Sequence, residues 1–123
     1  DQWVLDNIIS EDCLTINVVR PSNVSEGDTL PVGVWVYGGG FIQGGARDPR
    51  YNLSYIIKEA VAAGKPIIGV SFNYRLQAFG FMSGTAVHKA AVANLALKDQ
   101  CLALHWVQEN VAAFGGDASK VTI

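Results

Sequence analysis

The sequence has no apolar run approaching the ~20 residues that a helix needs to cross a bilayer, so it predicts no transmembrane segment. It also lacks an excess of either charge, because nine basic and eleven acidic side chains leave a formal net charge of −2. That balance gives no electrostatic basis for binding nucleic acid or an anionic membrane surface. No signal peptide is visible, and the first residue is Asp1 rather than Met, so we expect a processed or cut N-terminus.

Cysteine is scarce, since Cys13 and Cys101 are the two in the chain. Whether they form one disulfide depends on their Cα separation and Cβ directions, which the sequence does not specify, so both states stay open. Two tripeptides that begin at Asn23 and Asn52 match the N-glycosylation pattern, and both lie in polar, turn-like stretches. We therefore expect glycosylation at Asn23 and Asn52, and a secreted protein.

Glycine is abundant by contrast, and three glycines stand in a row after an apolar, β-favouring stretch. This stretch, Val34 to Tyr37, passes directly into Gly38, Gly39 and Gly40. Consecutive glycines do not strengthen a strand, because glycine loses the most conformational freedom on ordering. A flexible loop is the simplest interpretation. Alternatively, bare backbone N–H groups at a strand end are what a hydrolase needs where negative charge develops on a carbonyl oxygen.

Two nucleotide-binding patterns fail at this triplet. A dinucleotide fingerprint requires glycines at i, i+2 and i+5. Counted from Gly38 the third position is Gln43, and counted from Gly39 the second position is Phe41. A phosphate loop requires Lys followed by Ser or Thr after its last glycine, whereas Gly and Ala follow Gly44. Both nucleotide-binding interpretations are therefore excluded.

Hydrophobic patterning predicts an α/β fold. Alternating or nearly continuous apolar residues predict strands over 14–20, 31–37 and 66–72, with a further strand opening at Val121. Helical periodicity predicts one helix before the third strand and a longer one before the fourth. Helical crossovers between apolar strands imply a mostly parallel sheet.

The predicted helices cover residues 55–63 and 95–113. We expect Ser54 to cap the first helix, Gly64 to end it, and Gly115 to end the second. Two remaining segments are predicted as loops, and they cover residues 21–28 and 73–85.

Three segments, in order and with suitable spacing, carry a resemblance to a known family. Glu11 to Pro21 is similar to one sequence signature of the type-B carboxylesterase and lipase family of α/β-hydrolases. Tyr37 to Phe41 resembles its oxyanion loop, and Phe114 to Ile123 resembles the first part of its other signature. The chain looks most like the fungal extracellular lipases. The resemblance implies a partial α/β-hydrolase fold, with residues 1–123 as part of a single catalytic domain truncated at both ends.

The resemblance also implies how the strands are arranged. Strand 14–20 should run antiparallel beside strand 66–72. Strand 31–37 should lie between strand 66–72 and the strand that opens at Val121. This order would place the glycine loop at the carboxyl ends of the strands, next to the turn that carries the nucleophile in this family.

By the same resemblance, Gly39 and Gly40 donate backbone N–H groups to the oxyanion of a tetrahedral intermediate. Phe41 either lines the acyl pocket or anchors the loop as a core aromatic. The nucleophilic serine is expected four residues beyond Ile123, within the pattern any residue, Gly, any residue, Ser. The acid and the histidine would follow later, so the chain alone is predicted to be inactive.

The resemblance assigns structural roles to further residues. It pairs Cys13 with an upstream cysteine that is absent here, which argues against a Cys13–Cys101 bridge. Arg75 and Asp99 resemble a structural ion pair of the family, and the alternative is two unrelated surface charges.

The function implied is a carboxylic ester hydrolase, a lipase or esterase, that acts by serine acylation on small-molecule or lipid esters. No metal or organic cofactor is implied, neither His88 nor His105 is assigned to the triad, and the full-length protein is expected to contact a lipid interface. The alternative is a non-catalytic, cholinesterase-like adhesion or binding module that has lost the serine. A small unrelated α/β binding domain is a third interpretation, which the ordered motifs disfavour.

Overall fold

The computed structural model describes residues 10–123 and places four strands in one sheet. The strands are β1 (Ile16–Val19), β2 (Leu30–Trp35), β3 (Ile68–Phe72) and β4 (Gly116–Thr122). The helices are α1 (Ser54–Ala62), α2 (Gln77–Phe81), α3 (Thr85–Lys89) and α4 (Leu95–Asn110). Short 3₁₀ turns cover Pro49–Tyr51 and Val111–Phe114. Across residues 10–123, none of the helices has the length and apolarity that a membrane crossing requires.

The sheet has the strand order β1-β3-β2-β4, as expected. Strand β1 runs antiparallel to β3, whereas β2 runs parallel to both β3 and β4. Parallel neighbours end at the same edge of a sheet. The segment that follows β2 therefore begins beside the carboxyl ends of β3 and β4.

Strand β3 is buried along its whole length. Gly69 packs against Leu53 and Ile57 at the start of α1, where an added Cβ would lie 3.1 Å from Leu53. Successive strand residues face opposite sides, so Val70 points away from α1. The buried core combines residues from β2, β3, α4 and the following 3₁₀ turn: Val32, Val34, Ile68, Val70, Phe72, Ala96, Val107 and Val111.

The first helix begins differently from the prediction. Ser54 is the first helical residue, and Leu53 stands at the cap position without a side-chain capping bond. Instead, the Ser54 N–H donates to Oδ1 of Asn52 at 3.0 Å, so the assignment of Ser54 as the cap is wrong. Gly64 ends the helix as predicted, since it has φ +70° and its N–H donates to the Val61 carbonyl at 3.0 Å.

The segment predicted as a loop over 73–85 contains helix α2 and the first residue of α3, so that prediction is wrong. Five residues are too few to show a helical period. Helix α2 packs against α4 through Gly80, where an added Cβ would lie 2.8 Å from the Cβ of Ala96. A tertiary contact therefore shapes this segment more than local pattern does.

The last predicted helix and strand are also shifted. Helix α4 ends at Asn110 and continues as a 3₁₀ turn, which Gly115 ends at φ +87°. Strand β4 begins at Gly116, five residues before Val121. The pairing with β2 is irregular between these two positions, and the intervening polar residues look like a turn in the sequence.

Candidate active site

The glycine loop, defined here as residues 38–44, follows β2 and depends on three glycines with positive φ. Gly39, Gly40 and Gly44 have φ of +140°, +63° and +131°. An added Cβ would lie 1.9 Å from the Gln43 carbonyl oxygen at Gly39 and 2.6 Å from the Tyr37 ring at Gly44. At Gly40 nothing lies within 4 Å, so glycine is favoured there by its backbone angle alone.

A tight turn orients the two amides that the sequence singles out. The Gly39 carbonyl accepts hydrogen bonds from the N–H groups of Ile42 at 3.1 Å and Gln43 at 3.3 Å. A trans peptide holds its C=O and N–H antiparallel, so the Gly40 N–H points away from the turn. Within residues 10–123 the amides of Gly39 and Gly40 have no protein acceptor, and both residues are exposed. Two donors are thus available to an oxyanion at this edge of the sheet.

Two tyrosines join the end of β2 to the end of β3, and the sequence analysis did not identify them. The rings of Tyr37 and Tyr74 stack with centroids 4.4 Å apart. The Tyr37 hydroxyl donates to the Tyr74 carbonyl at 2.8 Å, and the Tyr74 hydroxyl donates to the Tyr37 carbonyl at 2.7 Å. This reciprocal pair holds the residue just before the glycine loop. The sequence shows an aromatic residue after each of two strands, but nothing in it indicates that the two rings meet.

Burial raises the pKa of Tyr37 to about 12. Above about pH 10 the unfolded chain loses the phenolic proton of Tyr37, whereas the folded chain keeps it up to about pH 12. The contribution of Tyr37 to the free energy of unfolding is therefore fully present below pH 10 and is lost as the pH rises toward 12. We expect the free energy of unfolding of the full-length protein to drop by about 2–3 kcal/mol between pH 10 and 12 from this group. Tyr37→Phe should remove that part of the drop in urea-unfolding measurements.

Tyr55→Phe is the matched control, because the Tyr55 ring is 71% exposed. This variant should retain the wild-type dependence between pH 10 and 12. If Tyr37→Phe and Tyr55→Phe gave the same pH profile, the assignment to the buried tyrosine would be wrong.

Phe41 lies in the turn with φ +61° and stays 43% exposed. Its ring meets Phe81 edge-on at 5.0 Å and Tyr74 at 6.1 Å. These contacts attach the loop to α2 and to the tyrosine pair. Part of the Phe41 ring stays open to solvent, and its lining of an acyl pocket stays a prediction.

Arg75 and Asp99 form a bidentate ion pair between the end of β3 and helix α4. Nη2 and Nε of Arg75 lie 2.6 and 2.8 Å from the two Asp99 carboxylate oxygens, and the Arg75 N–H donates to Oδ2 at 3.0 Å. Asp99 is buried. Hydrogen bonds from the Arg75 guanidinium hold the pKa of the Asp99 carboxyl below its usual value. The pair joins the segment after β3 to helix α4.

The remaining predicted sites lie on the surface. Cys13 and Cys101 are free, exposed thiols in this structure, and the pairing of Cys13 with an upstream cysteine stays a prediction. Asn23 and Asn52 are exposed, although Oδ1 of Asn52 accepts the bond from Ser54 described above.

The two histidines lie on the surface of two helices. His88 and His105 are exposed on α3 and α4. Within residues 10–123, no group of three His, Cys, Asp or Glu side chains is arranged to hold a metal ion.

Several known proteins are similar to this chain. A secreted lipase of Arthroderma benhamiae is 51% identical over 116 residues, which cover 94% of this chain and 21% of that protein. The protein named inactive carboxylesterase-like protein VdtD, from Byssochlamys spectabilis, is 42% identical over 123 residues, 100% of this chain and 21% of that one. The chain thus spans about a fifth of the length of these relatives.

The fold has a solved counterpart. The crystal structure of EstA from Aspergillus niger matches with a TM-score of 0.81 at 38% identity, covering 91% of this chain and 21% of that one. The model of the carboxylesterase family matches residues 2–123. The family model covers nearly the whole chain, and the fold agrees with a solved structure that is similar in sequence. The chain therefore belongs to the carboxylesterase family of α/β-hydrolases.

Proposed function

We propose that this chain supplies the oxyanion loop of a carboxylic ester hydrolase, and that residues 1–123 form part of its single catalytic domain. The observation that carries the proposal is the pair of exposed amides at Gly39 and Gly40, which have no acceptor within residues 10–123. They lie just past a parallel strand, where ligands of open α/β sheets bind.

The pairing of β2 with β4 supports a place for the nucleophile. Gly33 lies opposite Thr122 in parallel register. If both strands extend in step, the fourth residue beyond Ile123 is level with Gly38, one residue before the proposed oxyanion donors. A serine at that position, on a strand-to-helix turn, would have its Oγ exposed beside the glycine loop.

The reaction proposed is acyl transfer through this serine. The Oγ attacks the ester carbonyl as a histidine removes its proton, and the carbonyl oxygen becomes a tetrahedral oxyanion. Gly39 and Gly40 donate their N–H groups to that oxygen, and the residue after the serine supplies a third. The alcohol leaves with the proton, and water then cleaves the acyl-enzyme by the same steps. Each donor of this kind typically contributes roughly 10²–10³ in turnover.

The setting proposed for the whole protein is extracellular. Relatives named as secreted lipases support this location, and exposed Asn23 and Asn52 are available for N-glycans. Cys13 is exposed and available to an upstream cysteine. The substrates proposed are small-molecule or lipid esters, with contact to a lipid interface. Residues 1–123 alone should be inactive, since the proposed serine lies outside them.

The second candidate is a non-catalytic binding module. It is favoured by the similarity of the whole chain to a protein named as an inactive carboxylesterase-like protein. In such a protein the glycine loop would persist for backbone geometry, because Gly39 and Gly44 leave no room for a side chain.

Assays of the full-length protein distinguish the two candidates. We expect hydrolysis of 4-nitrophenyl esters, with a burst of 4-nitrophenol equal to the enzyme concentration wherever deacylation limits turnover. Comparison of soluble short-chain esters with emulsified triacylglycerols would then separate esterase from lipase preference. A folded protein that hydrolyses no ester of any acyl length would reject the hydrolase and favour the binding module.

A further inference from the structure

Gln77 makes two hydrogen bonds to the glycine loop from the start of helix α2. Its backbone N–H donates to the Phe41 carbonyl at 2.9 Å. Its side-chain Nε2 donates to the next carbonyl, that of Ile42, at 2.7 Å. One residue therefore holds two consecutive peptide units of the turn.

The N–H groups of these two peptide units donate to the same acceptor, the Gly39 carbonyl oxygen. The Phe41 carbonyl shares its peptide with the Ile42 N–H, and the Ile42 carbonyl shares its peptide with the Gln43 N–H. Both of these N–H groups donate to the Gly39 carbonyl, at 3.1 and 3.3 Å. The Gly39 carbonyl in turn shares its peptide with the Gly40 N–H. Two hydrogen-bonded chains thus run from Gln77 through planar peptides to the proposed oxyanion donor.

Such chains have two effects on the terminal N–H. Each bond fixes the plane of a peptide, and the plane of the Gly39–Gly40 peptide sets the direction of the Gly40 N–H. Successive hydrogen bonds also polarise one another, which strengthens the last donor. Both effects act in the direction that stabilises negative charge at the site.

The two residues joined by the backbone hydrogen bond, Gln77 and Phe41, both have unusual backbone angles. Gln77 has φ +50° and Phe41 has φ +61°, and positive φ is uncommon for residues other than glycine. Strained backbone of this kind persists where surrounding contacts hold it, and it clusters at functional sites. The two strained residues here are joined by the Gln77–Phe41 bond.

We infer that Gln77 is a positioning residue, which orients the Gly40 N–H toward the oxyanion through the peptides of the turn. The inference rests on the proposed function and extends it to a residue outside the glycine loop. Gln77 itself touches no reacting atom, so its effect should appear in turnover rather than in substrate binding.

Gln77→Met in the full-length protein tests the inference, because methionine keeps the length of the side chain and removes the Nε2 donor. We expect kcat to fall by roughly tenfold with KM within about twofold, since the interaction is strongest in the transition state. Gln108→Met is the matched control. Gln108 is also exposed, and its Nε2 donates to a backbone carbonyl, that of Ala118, at 3.0 Å. We expect that variant to retain wild-type kcat.

Amide hydrogen exchange of the same variants gives a readout that does not require activity. Gln77→Met removes the support of the peptide that carries the Gln43 N–H, so exchange at Gln43 should quicken by roughly fivefold, while Gln108→Met leaves it unchanged. Equal kcat for the two variants in an active enzyme would overturn the inference, and so would unchanged exchange at Gln43. A wild type without activity would reject the proposed function, and exchange would still decide whether Gln77 holds the turn.

Discussion

Substitution of Gly40 by valine in the full-length protein is expected to lower ester turnover by roughly 10²–10³-fold while the protein stays folded. The structure indicates why this change should lower turnover far more than stability. No atom lies within 4 Å of an added Cβ at Gly40, so the Cβ meets no clash, and its strain comes from φ +63°. That strain costs about 1–3 kcal/mol, because branched side chains are disfavoured at positive φ. The same strain should displace the Gly40 N–H from the proposed oxyanion site, so we expect turnover to fall.

Gly64→Val is the matched control for this prediction. Gly64 has φ +70° and also has nothing within 4 Å of an added Cβ, but it lies at the end of α1. Both variants should show a similar loss in urea-unfolding free energy, and only Gly40→Val should lose kcat. If the two variants lost activity equally, Gly40 would have no role beyond loop geometry.

The Arg75→Met variant is expected to show the largest loss of stability. It leaves the carboxylate of Asp99 buried without its partner, and breaking a buried pair costs roughly 3–5 kcal/mol. A third of the Arg75 side chain is exposed, so solvent screening should place the cost near 3 kcal/mol. Urea unfolding of the full-length protein would measure it.

The pH dependence of this loss has a defined sign. Since the folded pKa of Asp99 is depressed by Arg75, the pair's contribution is present above the ordinary pKa of a carboxyl and is lost as pH falls through the folded value. The difference between wild type and Arg75→Met should therefore shrink in acid. A difference that is constant with pH would show that packing, not charge, explains the effect.

A surface ion pair serves as the control. Lys120 lies 2.9 Å from Asp117, but more than half of its side chain is exposed. Exposed pairs contribute little to stability, so Lys120→Met should unfold close to the wild-type urea midpoint. A loss as large as that of Arg75→Met would contradict the role assigned to burial.

Much of this arrangement could be predicted from local sequence. The apolar run before Gly38 marks a strand, although only Val32 and Val34 of β2 are buried. The resemblance of the flanking motifs predicts the strand order that the sheet adopts. Gly64 and Gly115 end helices with positive φ, as their positions indicate. The signals for the strand and for the helix ends lie within a few residues of the features they predict, whereas the strand order comes from the resemblance of motifs spread along the chain.

The features that the sequence analysis missed depend on contacts between distant residues. The Tyr37–Tyr74 pair joins positions in two different strand ends, and neither tyrosine has a local signal for its partner. Helix α2 is too short for periodicity and forms where Gly80 packs on α4. The position of Gln77 at the start of α2 is therefore invisible until the chain is folded.

Covalent labelling of the full-length protein with a fluorophosphonate, which phosphonylates activated serines, tests the central claim most directly. We predict one label per molecule on a serine four residues beyond Ile123, within Gly-any residue-Ser. Ester hydrolysis should disappear in proportion to labelling. A folded protein that takes no label, with another residue at that position, would contradict the serine hydrolase and leave the glycine loop as part of a binding module.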